Sequence, residues 1–475
     1  MTSVEPFGCG AGVDPADLEF VSQISRFVER QNAAIGAGPI LPNVKADEIR
    51  AFLRSQYDFS HPLSLEKIIA DVESMLRNWQ VQVTHPRYLG LFNPSVSLAS
   101  VIADTLAAVY NSQLATWRTS PGPNEIERHT LSWLAEKFGL PADAFATFTT
   151  GGTEANLSAV IVALTHAFPD YAESGLRALE SSPVIYVSGE AHLSFTRIAH
   201  LTGLGRRQLR IVATDSEYRM DPADLQRQIR KDRNDGLTPT MAVGTCGATA
   251  TGVIDPLPDL QQICAQEGLW FHVDAAWGGA AAISPSLRHH LAGIETADSI
   301  TCDAHKWFSV PMGAGMFFCR HTEAVAESFH ARNSFMPGQT AGDVFDPYTM
   351  SMQWSRRFAG LKLFLALAHK GEGGYAEMIE HQTAMGNVLR RLLRDSGWKI
   401  MNATPLPLVC FTRDGLDTGE FLAELHRHQI AWMSEVRLGG GTPALRACIT
   451  SFKTNESDLE WIVEQMNRLI PAPRF

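Results

Sequence analysis

The chain has 475 residues, enough for two or three structural units around a large core, and its 45% hydrophobic and 19% charged residues are the balance of a soluble globular protein. A net charge of −11 argues against nucleic acid or an anionic membrane surface as a partner. Seven cysteines without a C-x-x-C, and no HExxH, read as buried thiols in a reducing compartment, not as a disulfide frame or a metal site, so a cytoplasmic protein is expected.

In chain order, Asp14-Pro15 predicts a helix start, and Leu18, Val21, Ile24, Phe27 and Val28 follow at helical spacing. A second helix is expected over 64–79, with Leu65, Ile68, Ile69, Val72, Met75 and Leu76 on one face. Two readings stand for both: helices capping their own domain, or an arm that packs on a partner subunit. No basic segment followed by an apolar one opens the chain, and the most apolar helical run, Leu98 to Tyr110, carries Asp104 and is too short to cross a bilayer. The segment 85–94 mixes turn residues with aromatics. Asn124-Glu-Ile-Glu127 has capping-box spacing and predicts a helix start, with Ile126, Trp133, Leu134 and Phe138 on the buried side.

A short strand over 145–149 leads into Thr149-Thr-Gly-Gly-Thr-Glu-Ala-Asn156 and an apolar helix, Leu157 to Leu164. Backbone N–H groups at such a helix start, unobstructed at Gly151 and Gly152, suit a phosphate. Strand candidates then alternate with helix patterns: 184–187, 210–213, 241–244, 269–273, 299–302 and 315–319, with helices such as 221–231 and 257–267 between them. Alternation of this kind predicts an α/β fold with a mostly parallel sheet covered on both faces. The aperiodic, Gly- and Pro-rich stretch 330–348 is a long loop, which inside a compact domain is either functional or disordered. Beyond it lie helix patterns at 375–393 and 418–428, a strand at 408–411, and Gly439-Gly-Gly441 as a turn. The basic clusters Arg206-Arg207 with Arg210 and Arg390-Arg391 with Arg394 read as solvated faces.

Residues 269–307 carry the chemistry. One apolar strand ends in Asp274 and the next ends at His305-Lys306, which places ionisable groups at the carboxyl ends of strands, where open α/β sheets bind ligands. A lysine able to form a Schiff base and an aspartate able to pair with a pyridinium nitrogen are what pyridoxal phosphate demands of a protein. Each residue alone also has an ordinary reading, Asp274 as a helix cap and Lys306 as a solvated charge.

His272-Val-Asp-Ala-Ala276 followed by Asp303-Ala-His-Lys-Trp307 resembles the group II pyridoxal-phosphate-dependent amino-acid decarboxylases, and the resemblance runs from about His85 to about Asp458. It implies a fold-type I enzyme with an N-terminal helical dimerisation segment (1–84), a large cofactor domain (85–373) and a small C-terminal α+β domain (374–475). It implies pyridoxal 5'-phosphate on Lys306, with Asp274 at the ring nitrogen, His192 stacked on one face, Ala276 against the other and Thr249 beside the ring. Gly152 and Thr153 would cradle the phosphate, with Ser194 and His305 as further partners. Leu91, Phe92 and Trp117 would favour an apolar or aromatic amino acid, with Arg87 leaving room for an acidic one, and the enzyme would be a homodimer.

The family presents a lid tyrosine where this chain has Phe335, before Met336. A phenylalanine has no proton to give, and general acid catalysis is typically worth about 10²–10⁴-fold. The electron-rich species left by CO2 loss would then persist and could meet dioxygen, so oxidative decarboxylation–deamination to an aldehyde stands beside simple decarboxylation assisted by His192 or water. An aminotransferase shares the fold and lysine and is the third reading. Tyr348, beside Asp346-Pro347, is assigned to the scaffold.

Overall fold

The computed structural model of the chain describes residues 36–93, 95–330, 344 and 346–470. The helix expected from Asp14, most of the 330–348 loop and Phe335 lie outside these residues. The strands of the larger sheet are β1 (Phe145–Thr149), β2 (Pro183–Ser188), β3 (Leu209–Val212), β4 (Thr238–Thr245), β5 (Trp270–Asp274), β6 (Ser299–Asp303) and β7 (Gly315–Cys319). They lie in the order β1-β7-β6-β5-β4-β2-β3. Strands β3, β2, β4, β5 and β6 run parallel, while β7 pairs antiparallel with both β6 and β1.

The longer helices are α1 (Ala46–Gln56), α2 (Leu65–Asn78), α3 (Leu98–Tyr110), α4 (Pro121–Lys137), α5 (Gly152–Ala167), α6 (Ser194–Leu201), α7 (Pro222–Asn234), α8 (Leu257–Glu267), α9 (Thr322–Phe329), α10 (Gly360–Asp395), α11 (Thr418–Arg427) and α12 (Glu456–Leu469). Helices α4 to α10 cover both faces of the sheet, and the alternation of strand side chains sorts the core into two layers. Ile185, Val187, Met241, Val243 and Phe317 pack with Ala155 and Ala159 of α5, Phe195 of α6 and Val325 of α9. Val184, Tyr186, Ala242, Phe271 and Phe318 face the other way, onto Leu134 of α4, Leu225 of α7, Leu260 of α8 and Leu363 of α10.

A second, antiparallel sheet has the order β10-β11-β9-β8, from β8 (Lys399–Ile400), β9 (Leu408–Thr412), β10 (Ser434–Leu438) and β11 (Thr442–Cys448). Its core joins Val409, Phe411 and Leu445 to Leu425 of α11 and Ile462 of α12. The glycines at 439–441 turn β10 into β11, with Gly439 and Gly440 at φ 54° and 74°, a backbone that glycine adopts without steric cost. Helix α10 is longer than the 375–393 pattern and is interrupted at Gly371, φ 70°.

Two expectations are corrected. Asn124 does not cap a helix: α4 starts with Pro121 in its first turn, and the Asn124 amide donates to Thr116 O and Ser120 O. Glu127, the other end of the supposed capping box, is buried against Arg356 at 3.0 Å and accepts the Gly360 N–H. Arg390 is not on a solvated face either, since it is buried and donates to the carbonyls of Leu406 and Leu408.

Candidate active site

Strands β4, β5 and β6 end side by side, with Thr245 opposite Asp274 and Asp274 opposite Thr301. Parallel pairing therefore brings the two charged strand ends of the sequence to one edge of the sheet. Asp274 is buried, and both its oxygens are held: Oδ1 accepts the Ala276 N–H at 3.1 Å and Oδ2 accepts the Asn156 amide at 2.9 Å.

β6 ends in Asp303, and a tight turn follows in which Lys306 N–H donates to Asp303 O. The turn folds Lys306 back so that its Nζ lies 2.9 Å from Asp303 Oδ2. Burial pushes the ammonium pKa down, but Asp303 and Asp274 outweigh it, and the net displacement is upward. His305 accepts the Ala314 N–H on Nδ1, and its Nε2 is 3.8 Å from Asp303 Oδ2. Burial pushes this imidazole below its ordinary pKa despite Asp303.

From the other side, β1 delivers Thr149 and Gly151 to the start of α5. The pass is so tight that a Cβ on Gly315 would sit 2.5 Å from Gly151 Cα. A Cβ on Gly152 would come within 2.9 Å of Asp303 Oδ2 and 3.4 Å of the Ala276 methyl. The space beside the first turn of α5 exists because Gly152 has no side chain, and the free N–H groups of a helix start are an anion site.

These elements enclose a cavity of about 370 Å³. Lys306, Asp274 and Ala276 line it together with His192 and Thr249. Gly152, Thr153, His305 and Phe92 line it as well. Nine expected cofactor and catalytic or pocket positions thus meet in one space. Phe92 is stacked on Trp277 at 4.6 Å and lies under Lys306 Nζ at 5.7 Å and the Arg446 guanidinium at 4.9 Å. His192 Nδ1 accepts the Ser194 N–H at 3.2 Å, which leaves Nε2 to carry the proton of the neutral ring. Partial desolvation lowers the His192 pKa and Asp274 acts against it; the lowering prevails.

Other expected residues lie elsewhere. Ser194 is buried behind His192, with its hydroxyl 3.4 Å from the Asn156 amide, and does not line the cavity. Leu91 is half exposed, and its N–H donates to Tyr88 Oη. Trp117 donates its indole N–H to Glu125 at 2.8 Å and lines a separate cavity of about 30 Å³ beside Glu127 and Arg356. Arg87 sits 4.2 Å over the Trp461 ring and donates to Ile430 O, so it offers no charge to the cavity. Tyr348 is buried, with its N–H on Ala115 O, as a scaffold residue should be.

The sequence reading missed Asn156, Asp303, Thr245 and Trp277, all of which line the cavity. Asp303 had a signal, because a carboxylate three residues before a lysine at a strand end can be reached by a single turn. The residues present fit pyridoxal phosphate: an amine, a buried carboxylate, an imidazole and a small methyl group share one cavity with a side-chain-free helix start suited to a phosphate.

Residues 51–413 match the model of the pyridoxal-dependent decarboxylase conserved domain. The chain is 28% identical to tryptophan decarboxylase 1 of Oryza sativa subsp. japonica over 86% of its length and 83% of the relative's. It is 28% identical to 4-hydroxyphenylacetaldehyde synthase of Rhodiola rosea over 90% of each chain. The crystal structure of that Rhodiola rosea enzyme superposes with a TM-score of 0.87 at 25% identity, covering 97% of this chain and 100% of the other. On the match over most of its length, the chain belongs to the family of pyridoxal-phosphate-dependent decarboxylases.

Proposed function

We propose that this chain decarboxylates an aromatic L-amino acid, working as a homodimer in the cytoplasm. The observation that carries the reading is the single cavity shared by Lys306, Asp274 and the Gly152-Thr153 helix start. Pyridoxal phosphate, when bound, supplies a sink for the electrons released as the bond to the substrate carboxylate breaks. The chain's own residues do the rest. Lys306 would hold the cofactor through its carbonyl carbon, and Asp274 would keep the ring nitrogen protonated. His192, with Nε2 as its donor, would lie against one face of the ring and Ala276 against the other. The backbone of Gly152 and Thr153, with His305, would hold the phosphate.

Phe92 and Trp277 offer stacked apolar surface in the same cavity, and Arg87 is turned away, which favours an aromatic over an acidic side chain. For the dimer, α1 and α2 bury none of their own residues, and Leu98, Ile102, Leu106 and Val109 form an exposed row along α3. This reading assigns 1–84 to dimerisation, 85–373 to cofactor binding and 374–475 to a small second domain. The six described cysteines are buried and unpaired with one another, in keeping with a reducing compartment, and among the described residues no helix is long and apolar enough to cross a membrane.

A second reading rests on Phe335 and on the kinship with an aldehyde synthase. There, an aromatic amino acid, O2 and water would give the aldehyde, CO2, ammonia and hydrogen peroxide. A panel of L-amino acids under air, with CO2, amine, aldehyde and peroxide all measured, tests both. Amine in step with CO2 supports decarboxylation alone; aldehyde with equal peroxide supports the second reading; no CO2 from any aromatic amino acid overturns both.

A further inference from the structure

Behind Asp274 runs a chain of polar side chains that never reaches the cavity surface through its far members. Trp270, His272 and Asp274 alternate along β5 and so share one face, the one covered by α5, while Ser299 is paired with His272 across β6. The links are short and continuous. Trp270 Nε1 lies 2.8 Å from Ser299 Oγ, Ser299 Oγ lies 2.8 Å from His272 Nδ1, His272 Nε2 lies 3.1 Å from Asn156 Oδ1, and Asn156 Nδ2 lies 2.9 Å from Asp274 Oδ2.

The chemistry of the two ends fixes the direction of every bond between them. An indole N–H only donates, so Ser299 Oγ accepts from Trp270 and has its own hydrogen left for His272 Nδ1. A neutral imidazole that accepts on Nδ1 carries its proton on Nε2 and donates it to Asn156 Oδ1. From the other end, an ionised carboxylate only accepts, so Asn156 must turn its NH2 toward Asp274, which leaves Oδ1 facing His272. The second amide hydrogen of Asn156 points to Ser194 Oγ at 3.4 Å, and Thr301 Oγ1 is a more distant neighbour of His272 Nε2 at 3.5 Å. Both ends demand the same tautomer. His272 is fully buried, with Phe195 at the edge of its ring, and burial pushes its pKa down to about 4, so the ring is neutral at ordinary pH.

We infer that Trp270, Ser299, His272 and Asn156 form a one-directional hydrogen-bond relay that positions Asp274 for the cofactor's ring nitrogen. They are positioning residues: none but Asn156 lines the cavity, and they act by holding one Asp274 oxygen while Ala276 N–H holds the other. Without a donor from His272, the Asn156 amide is free to turn over and set its oxygen against the carboxylate. The inference rests on the reading of Asp274 as the partner of the ring nitrogen.

The test has two parts. In protein labelled with 15N-histidine, with the His272 signals assigned by their loss in His272→Gln, Nε2 should bear the proton and Nδ1 should not, with and without pyridoxal phosphate. A proton on Nδ1, or on both nitrogens, at neutral pH overturns the relay. Second, glutamine can offer an N–H to Asn156 and an oxygen to Ser299, whereas leucine offers neither. The dissociation constant for pyridoxal phosphate should stay within about threefold of the unsubstituted protein in His272→Gln and rise about 5- to 100-fold in His272→Leu, the effect of an orphaned buried polar group. Equal losses in the two variants, in step with equal falls in melting temperature, would mean that His272 only fills space. The tautomer is read in the unsubstituted protein, so a variant that fails to fold does not remove the test. If the unsubstituted protein takes up no pyridoxal phosphate, the functional reading fails while the tautomer still decides the relay.

Discussion

Asp303 Oδ2 and Lys306 Nζ are 2.9 Å apart at the end of β6, so the amine proposed to attach the cofactor is held as an ammonium by the carboxylate that ends the strand. An ammonium is not a nucleophile, and attachment needs the small neutral fraction. The rate at which cofactor-free protein takes up pyridoxal phosphate should therefore rise with pH through the alkaline range. Asp303→Asn removes one of the charges that raise the Lys306 pKa, so its rate profile should move to lower pH. Stopped-flow absorbance of the cofactor measures this, and an unmoved profile would exclude Asp303 as the controlling charge.

Gly152→Ala places a methyl group 2.9 Å from Asp303 Oδ2, inside the space assigned to the phosphate. Small shifts of the carboxylate can relieve the contact in the cofactor-free chain, so folding should survive. Affinity for pyridoxal phosphate should fall at least about tenfold, equivalent to about 1.4 kcal/mol. Equilibrium titration gives the number, with the circular dichroism of the cofactor-free variant as control.

Stability should depend on pH through two buried histidines. Burial pushes His272 and, together with Arg87, His85 down to about 4. A histidine whose folded pKa lies below its unfolded value of about 6.5 stabilises fully above that value, and this is lost as pH falls toward 4. Each contributes about 3 kcal/mol across that window, as an order of magnitude. Melting temperature should drop steadily on acidification below neutrality, and His272→Gln should make the drop shallower.

The Glu127–Arg356 pair joins α4 to the segment entering α10, with both side chains buried. Glu127→Ala leaves a guanidinium without its counter-charge and also deprives Gly360 N–H of its acceptor. The expected cost is about 3–5 kcal/mol. Denaturant unfolding of the variant measures it, and a change below about 1 kcal/mol, the value of an ordinary surface pair, would contradict the assignment.

Leu106 and Val109 lie in the exposed row of α3. If that row is the subunit interface, Leu106→Glu with Val109→Glu should convert the dimer to monomer in sedimentation velocity while the circular dichroism is kept. A wild-type chain that sediments as a monomer removes the proposal.

Much of this architecture was legible because strands buried on both faces are written as short, largely apolar runs. The strands β1 and β7 begin and end where the sequence put them, and the ends of β5 and β6 announced Asp274 and Lys306. Less visible were contacts made between distant segments. Asn156 looks like an ordinary residue of an apolar helix until β5 arrives from residue 274, and Glu127 looked like half of a capping box because Arg356 lies far along the chain. Pro121 had the stronger claim on the helix start, since its missing N–H costs nothing there. Trp117 was an aromatic near the right segment, but Glu125 is a closer partner for its indole than any group in the cavity. Arg390 looked solvated in its run of arginines, yet the 3.6-residue period turns it inward to the carbonyls of Leu406 and Leu408.

The most direct test of the cofactor site is covalent. Purified protein incubated with pyridoxal phosphate, reduced with borohydride and digested should carry the phosphopyridoxyl group on the peptide containing Lys306, and Lys306→Ala should show neither that adduct nor release of CO2 from an aromatic amino acid. A stable adduct on another lysine, or undiminished CO2 release by Lys306→Ala, would contradict the account.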